Sequence, residues 1–198
     1  MIAAAAAVSL AGCSGSDDEA APATTSGGTT ATETTGTTTG TETGGTLTGA
    51  STGTVTGESQ TTETALLNRV AIGRNDGFDR VVFQFRKGVP GYRVEYVRPP
   101  ITQDGSGNRV PVKGDAFVVV RMEPASGFDL SVPEGELVYK GPRRLSGSDA
   151  GTGTVEEVVD SGDFEAVLSW AIGLDKRVPF RVQVLDSPAR LVVDFDNS

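Results

Sequence analysis

Apolar and polar residues alternate in several short runs of the chain. The runs 80–85, 92–96, 180–184 and 190–195 each place apolar residues at every second position, and the residues between them are arginine, glutamine, glutamate or aspartate except for Val82 and Val192. Successive side chains of a β-strand point to opposite faces, so this period predicts strands with one buried and one solvated face. We therefore expect four half-buried strands in these runs.

Other segments complete the predicted set of strands. The run 117–122 is apolar almost throughout, which favours a central strand buried on both faces. Further strands are predicted at 68–74, 154–160 and 164–174, with a turn at 161–163, where Ser, Gly and Asp follow one another. Several strands at this spacing, without an amphipathic helix, predict an all-β fold with a single β-sandwich domain over residues 65–198.

The segment 123–153 has the weakest pattern in this domain. It holds Pro124, Pro133, Pro142 and several glycines, and no regular alternation runs through it. These residues favour turns over regular strands. We expect a long loop there, with one short strand near 136–140.

The beginning of the chain has a different pattern. The run 2–10 is almost wholly apolar and too short to span a bilayer, and it ends in Leu10, Ala11, Gly12 and Cys13. These four residues resemble a bacterial lipobox, in which the cysteine is lipidated and becomes the N-terminal residue. We expect residues 1–13 to be a signal peptide with its lipobox. No Lys or Arg precedes the apolar run, so the true start is expected upstream; an ordinary signal peptide with an incidental cysteine is the alternative.

Residues 14–64 are expected to form a disordered tether rich in Thr and Gly. Twenty of these 51 residues are threonine, and Leu47 and Val55 are the only larger aliphatic residues. Such a segment buries too little apolar area to offset its chain entropy. As a flexible coil it would span roughly 40 Å, enough to hold a domain away from a membrane. The threonines could also carry O-linked sugars, and a plain spacer is the alternative.

Composition excludes several kinds of chemistry. The chain has no histidine and a single cysteine, which removes Ser-His-Asp and Cys-His nucleophile systems and Cys/His zinc sites. The formal charge of −9 divides into −7 before residue 65 and −2 after it, so neither part has the basic excess of a nucleic-acid binder. Oxygen-ligand metal sites and paired carboxylates remain possible on composition. We expect no enzyme activity, no catalytic residues, no metal, no cofactor and no nucleic-acid partner.

Four segments of the domain carry a resemblance to a known family. The run 179–195, in which a proline turn precedes Arg-Leu-Val-Val-Asp, resembles the closing strands of AMIN domains. The runs 76–85, 90–96 and 162–165 resemble the AMIN-like domain of lipoproteins from high-GC Gram-positive bacteria. The resemblance implies a β-sandwich module, and in amidases AMIN domains direct the enzyme to the cell wall by associating with peptidoglycan. No amidase domain follows in this chain.

Three residues are candidates for ligand binding. Arg143 and Arg144 could hold carboxylates of peptidoglycan stems or phosphates of wall polymers through bidentate guanidinium contacts; a solvated charge pair is the alternative. Trp170, like Tyr92 and Tyr96, could stack on sugar rings, whereas its place in an alternating strand favours core packing.

Carboxylates in the domain allow other interpretations. Asp160, Asp163 and Glu165 could act as acid and base in glycan hydrolysis, although loop carboxylates are common. The run 104–108 matches the first ligands of a calcium loop, but lacks the Gly and the distant Glu, so a simple turn is favoured. Asp194 is expected to form an ion pair with an arginine on a neighbouring strand.

These observations lead to one functional hypothesis with an alternative. We expect an extracytoplasmic lipoprotein, anchored by lipid to the outer face of the cytoplasmic membrane, whose β-domain binds peptidoglycan or another wall polymer without catalysis. The alternative is an adaptor that recruits an envelope enzyme or assembly factor through a sheet edge or the 123–153 loop. A hydrolase is the third interpretation.

Overall fold

The computed structural model of the chain describes residues 47–198, which form an all-β domain. Thirteen strands lie in two main sheets and one small hairpin. The larger sheet, which we call sheet I, has six strands in the spatial order β1 (Val55–Gly57), β4 (Gly91–Val97), β5 (Ala116–Glu123), β11 (Val167–Leu174), β10 (Val155–Phe164) and β9 (Arg144–Ser146).

Sheet II is the second main sheet. It has five strands in the spatial order β12 (Phe180–Asp186), β13 (Ala189–Asp196), β3 (Phe78–Phe85), β2 (Ala65–Asn75) and β6 (Ala125–Ser126). Pairing is antiparallel throughout, except between β2 and β6. The remaining described elements are a hairpin of β7 (Phe128–Asp129) and β8 (Glu136–Leu137), and a four-residue helix, α1 (Gly147–Ala150).

The core lies between the two sheets and is built from the alternating positions of both. Val81, Phe83 and Phe85 of β3 are buried, as their period of two predicts. The Phe83 ring on sheet II packs against the Trp170 ring on sheet I with 6.0 Å between centroids. The nearly continuous apolar run forms β5, which lies inside sheet I between β4 and β11. The prediction of an all-β sandwich is confirmed.

The predicted linker ends earlier than residue 64. Within the described residues, Leu47 is buried, and Val55 packs against the core as part of β1. β1 pairs with β4 at one edge of sheet I, and Ser51 bridges to Phe180 on β12 of sheet II. The prediction of disorder is therefore wrong for residues 47–64. Backbone hydrogen bonds to an edge of each main sheet order this segment. Local composition cannot predict such pairing, because the partner strands are distant in the sequence.

The predicted turn at 161–163 is also wrong. Gly162 lies within β10, where the register with β11 shifts between Asp160 and Gly162, as in a β-bulge. The chain reverses instead at Glu165 and Ala166, whose φ values of 51° and 60° lie in the left-handed region. Residues 161–163 therefore form a β-bulge and not a turn, because the pairing between β10 and β11 continues as far as Phe164.

The segment 123–153 is more structured than the predicted long loop. It contributes β6, the β7–β8 hairpin, β9 and α1. The strand expected near 136–140 corresponds to β8, which covers only Glu136–Leu137. Each of these elements is two to four residues long, so none could produce a recognisable period in the sequence.

One buried carboxylate joins the two sheets. Asp79 of β3 is fully buried, and its Oδ2 accepts hydrogen bonds from the backbone N–H groups of Gly153, Thr154 and Val155 at 2.9, 2.6 and 3.0 Å. Its Oδ1 accepts from the Asn197 side-chain amide at 2.8 Å. Sheet II thereby holds the start of β10 in sheet I and the C-terminal end of the chain.

We predict that Asp79→Ala lowers the free energy of unfolding by about 3 kcal/mol, because it leaves three backbone N–H groups, two of them on buried residues, without their acceptor. Urea denaturation followed by circular dichroism measures the change. Asp115→Ala, which removes an exposed carboxylate, is the matched control and should change stability by less than about 0.5 kcal/mol. Equal stability of the two variants would contradict the role of Asp79.

Candidate ligand-binding surfaces

The predicted lipid attachment site lies outside the described residues. Leu10, Ala11, Gly12 and Cys13 belong to residues 1–46, as do the signal peptide and most of the linker. These assignments stay predictions. No helix within residues 47–198 has the length and apolar character needed to cross a membrane.

Arg143 and Arg144 lie at the β9 edge of sheet I, and both are paired with carboxylates. The Arg143 Nε donates to Asp160 at 2.9 Å, while 70% of its side chain stays exposed. Arg144 forms an ion pair with the buried Glu157 and donates to the Pro111 carbonyl at 2.9 Å. Arg144 thus compensates a buried charge, and Arg143 is the more available of the two for a ligand.

Trp170 belongs to the core, so its assignment as a sugar-stacking residue is wrong. It is fully buried on β11, with the Tyr139 ring in an edge-on contact at 5.5 Å. A ring without solvent access cannot stack on a polymer. Burial also raises the pKa of Tyr139 to about 12, and its hydroxyl donates to the Pro142 carbonyl at 2.7 Å. Core packing, the interpretation that alternation favours, is what the structure shows.

Two of the three carboxylates considered for hydrolysis, Asp160 and Asp163, are engaged in local contacts, and the third, Glu165, is exposed at the turn after β10. Asp163 accepts hydrogen bonds from the Gly127 backbone at 2.8 Å and the Ser126 hydroxyl at 3.0 Å, which fixes the base of the β7–β8 hairpin. Partial burial raises the pKa of Asp163, against the opposing effect of these two donors. Asp160 is held by Arg143 and by the Gly162 N–H. These contacts assign both residues structural roles.

The run 104–108 forms a turn that is tied to sheet I. The Asp104 carboxylate accepts from the Ser169 hydroxyl at 2.5 Å and from Arg121 at 3.3 Å. The Ser106 hydroxyl donates to the Gln103 side chain. Within the part of the chain that the structure describes, no group of three or more acidic or cysteine side chains could hold a metal ion.

A cleft of about 700 Å³ lies beside the β7–β8 hairpin. Phe128 and Leu130 provide apolar lining, and Leu130 is 83% exposed. The basic groups at its rim are paired, Lys87 with Glu63 at 2.6 Å and Arg86 with Glu136 on the hairpin at 3.0 Å. Acidic residues outnumber basic ones in the lining, so the cleft suits a protein or peptide better than an anionic polymer.

The outer face of sheet I is covered by the segment 98–114. The Lys113 carbonyl comes so close to Gly173 on β11 that a Cβ there would overlap it. Ile101 of the same segment is buried, and Asp104 bonds to Ser169 on the sheet. Backbone therefore shields much of this face from large ligands.

The outer face of sheet II has a surface layer of long polar side chains, and we call it the arginine face. The register places its residues in cross-strand rows. Its members are Arg181, Gln183 and Leu185 on β12, Arg190, Val192 and Asp194 on β13, Arg80, Val82 and Gln84 on β3, and Arg69, Ala71 and Gly73 on β2. Asp196 continues this face at the end of β13, so four guanidinium groups accompany two carboxylates and the face has a net positive charge although the domain does not.

One row of this face is partly neutralised by an acid. Asp194 is fully buried, with Arg181 on one neighbouring strand and Arg80 on the other. Arg80 contacts both carboxylate oxygens, at 2.7 and 2.9 Å, and Arg181 contacts Oδ2 at 3.1 Å. Hydrogen bonding to Asp194 raises the pKa of Arg80. The expected ion pair of Asp194 with a neighbouring arginine is confirmed, and it involves two arginines.

A second cross-strand row has two arginines at the same spacing but no acidic residue between them. Arg190 on β13 and Arg69 on β2 flank Gln84 on β3, each directly opposite it in the register. Arg190 donates to the Pro188 carbonyl at 3.2 Å, and Arg69 is exposed. Sequence reasoning missed this row. Alternation places Arg190 and Gln84 on polar faces of their strands, but only the register shows that they meet.

The fold and these surfaces define a β-sandwich module with one covered and one charged outer face. The family model of the AMIN-like domain matches residues 65–197, so the chain belongs to the AMIN-like family. AMIN-like domains are extracytoplasmic, non-catalytic binding domains related to the cell wall. The resemblance seen in the sequence is thus confirmed for the domain. Comparison with curated proteins and with solved structures gave no match.

We predict that the fluorescence of Trp170, the single tryptophan, is protected from solvent. Because its ring is fully buried, acrylamide should quench it several-fold less than free tryptophan in the same buffer, and muropeptides should leave the emission maximum unchanged. Stern–Volmer titration measures this. Quenching equal to that of free tryptophan would restore Trp170 as a surface residue.

Proposed function

We propose that the protein is a non-catalytic cell-envelope lipoprotein whose β-domain binds peptidoglycan or another wall polymer. Membership of the AMIN-like family supports the wall-related role. In this proposal Cys13 carries the lipid that anchors the chain to the outer face of the cytoplasmic membrane. The residues between Cys13 and Leu47 separate the anchor from the domain.

The arginine face is the observation that carries the wall-binding proposal. Wall polymers present carboxylates and phosphates at intervals along an extended chain. A strand-built face offers rows of guanidinium groups, which bind such oxyanions through two parallel hydrogen bonds. Rows that are four residues apart, as at Arg190 and Asp194, are separated by about 13 Å along a strand. A flat charged surface of this kind suits a polymer better than a small molecule.

Arg143 is a second contact in this proposal. Its side chain is 70% exposed, and only its Nε donates to Asp160. The other N–H groups of its guanidinium can therefore bind a wall carboxylate while the pair with Asp160 stays in place. Arg144 is less suitable, because its removal would leave Glu157 buried without its partner.

The adaptor function is the alternative, and the hairpin cleft favours it. Phe128, Leu130, Val132 and Leu137 expose apolar area on or beside the β7–β8 hairpin. Clustered exposed apolar residues are typical of protein-binding surfaces. A partner protein bound there would leave the arginine face free.

We predict that the purified chain of residues 14–198 cosediments with isolated peptidoglycan sacculi and that salt weakens this binding, since it rests on charge. Arg143→Gln should weaken binding about two- to threefold, the loss expected for one exposed charge contact. Arg109→Gln, an exposed arginine on the segment over sheet I, is the matched control. Quantitative pelleting assays from low to high salt measure both variants.

The outcomes separate the two functions. Binding that Arg143→Gln retains in full would remove Arg143 from the site and keep the function. No pelleting with sacculi at any salt would refute wall binding, and crosslinking in cells to a defined partner protein would then support the adaptor.

We also predict that Cys13→Ser releases the protein from the membrane fraction, because the lipid is attached to this thiol. Incorporation of labelled palmitate and fractionation of cells measure the effect in the native host. Ser14→Ala is the control and should stay in the membrane fraction. Membrane retention and labelling in the Cys13→Ser variant would contradict lipidation at this residue.

A further inference from the structure

The arginine face contains two arginine pairs with the same cross-strand spacing. In each pair, the two arginines lie on strands separated by one intervening strand, so their Cα atoms are about 10 Å apart. In the first pair, Arg181 and Arg80, the intervening strand supplies Asp194. All three side chains meet there, and the carboxylate lies between two guanidinium groups.

The second pair, Arg190 and Arg69, has Gln84 at the intervening position. Glutamine presents an amide, which carries no charge and donates hydrogen bonds through its nitrogen. Among the described residues, neither Arg190 nor Arg69 forms an ion pair with a carboxylate. The second row therefore has the donors of the first row and lacks its anion.

A bulge in β2 shapes this row further. The register between β2 and β3 shifts between Leu67 and Arg69, so Asn68 and Arg69 lie together opposite Gln84. The side-chain oxygen of Asn68 is buried and has no hydrogen-bond partner among the described residues. This oxygen has no surface access, so it cannot contact a bound polymer, and the groups that the row offers to a ligand are Arg69, Gln84 and Arg190.

We infer that Arg69, Gln84 and Arg190 form a binding site for an oxyanion carried by a wall polymer. The oxyanion, a carboxylate or a phosphate, takes the place that Asp194 has in the first row, between the two guanidinium groups. The Gln84 amide nitrogen donates to it. This inference deepens the proposed function, since it rests on wall binding and names the site and the charged group recognised.

The surroundings favour a polymer over a free ion. Leu185 on β12 lies directly opposite Arg190, and a third of its surface is exposed, which gives the site an apolar border where a sugar ring can pack. Val82 and Val192 lie between the two arginine rows. A saccharide that carries the oxyanion thus meets both charge and apolar surface along the strands.

The site can be tested without a wall preparation. Inorganic phosphate and acetate, titrated separately into isotopically labelled protein at constant ionic strength, should shift the NMR signals of the Arg69 and Arg190 Nε–H groups and of the Gln84 amide. The Arg98 and Arg109 signals, from exposed side chains over sheet I, should stay unchanged. Equal shifts at all four arginines would mean general ion screening and would overturn the site.

Gln84→Glu is the most specific variant. It adds a carboxylate between Arg69 and Arg190, as Asp194 does in the first row, and removes neither guanidinium group. We expect it to fold as the wild type does and to lose about tenfold in affinity for sacculi, because its own carboxylate occupies the site. The double variant Arg69→Gln/Arg190→Gln should lose at least about as much. Arg98→Gln/Arg109→Gln is the matched control for charge and should bind as the wild type does.

The outcomes distinguish failure of the site from failure of the function. If both site variants bind sacculi as strongly as the wild type does, the proposed site is wrong and wall binding itself is supported. If the wild-type protein does not bind sacculi but shows the specific NMR shifts, wall binding is refuted and the oxyanion site is supported.

Sacculi treated with hydrofluoric acid, which removes phosphate polymers, identify the source of the oxyanion. Loss of binding after this treatment assigns phosphate, and retained binding assigns the carboxylates of the peptide stems. Site-dependent binding to anionic vesicles and not to sacculi would overturn the assignment to a wall polymer.

Discussion

The Asp79 carboxylate is the contact on which the arrangement of the two sheets depends most directly. It is fully buried, and it accepts hydrogen bonds from three successive backbone N–H groups at residues 153–155 and from Asn197. A buried charge is costly unless its hydrogen-bonding capacity is satisfied, and here backbone donors satisfy it. Since those donors belong to the entry into β10, the same carboxylate fixes where sheet I begins relative to sheet II. The described helix has only four residues, so hydrogen bonds such as these, and not helix packing, hold the two sheets in their relative position.

The two outer faces of the sandwich are covered in different ways. Segment 98–114 folds over sheet I, and the close approach of the Lys113 carbonyl requires glycine at position 173. Sheet II instead has its own long side chains as its outer layer. Val192, whose cross-strand neighbours are Gln183 and Val82, is buried although it lies on this outer face. The result is a surface that is apolar beneath and positively charged above.

The function proposed here uses this difference between the faces. Several carboxylates of the domain have local partners, such as Gly127 for Asp163 and Arg144 for Glu157. These pairings favour binding over catalysis, in agreement with membership of the AMIN-like family. On the arginine face, Asp194 satisfies one pair of guanidinium groups, and the pair flanking Gln84 is left for a ligand. The hairpin cleft is a separate apolar surface, so wall contact and protein contact need not compete.

The sequence by itself determined the class of fold, the burial of the alternating positions and the family. It also placed Trp170 in a strand and gave Asp194 an arginine partner. These are local properties, because a period of two and a short motif are visible within one run of residues. Only the tertiary structure decided that residues 47–64 join the fold, that Gly162 marks a bulge, and that Arg69, Gln84 and Arg190 meet in one row. Cross-strand register depends on hydrogen bonds and packing between residues up to about 120 positions apart, and no single run contains that information.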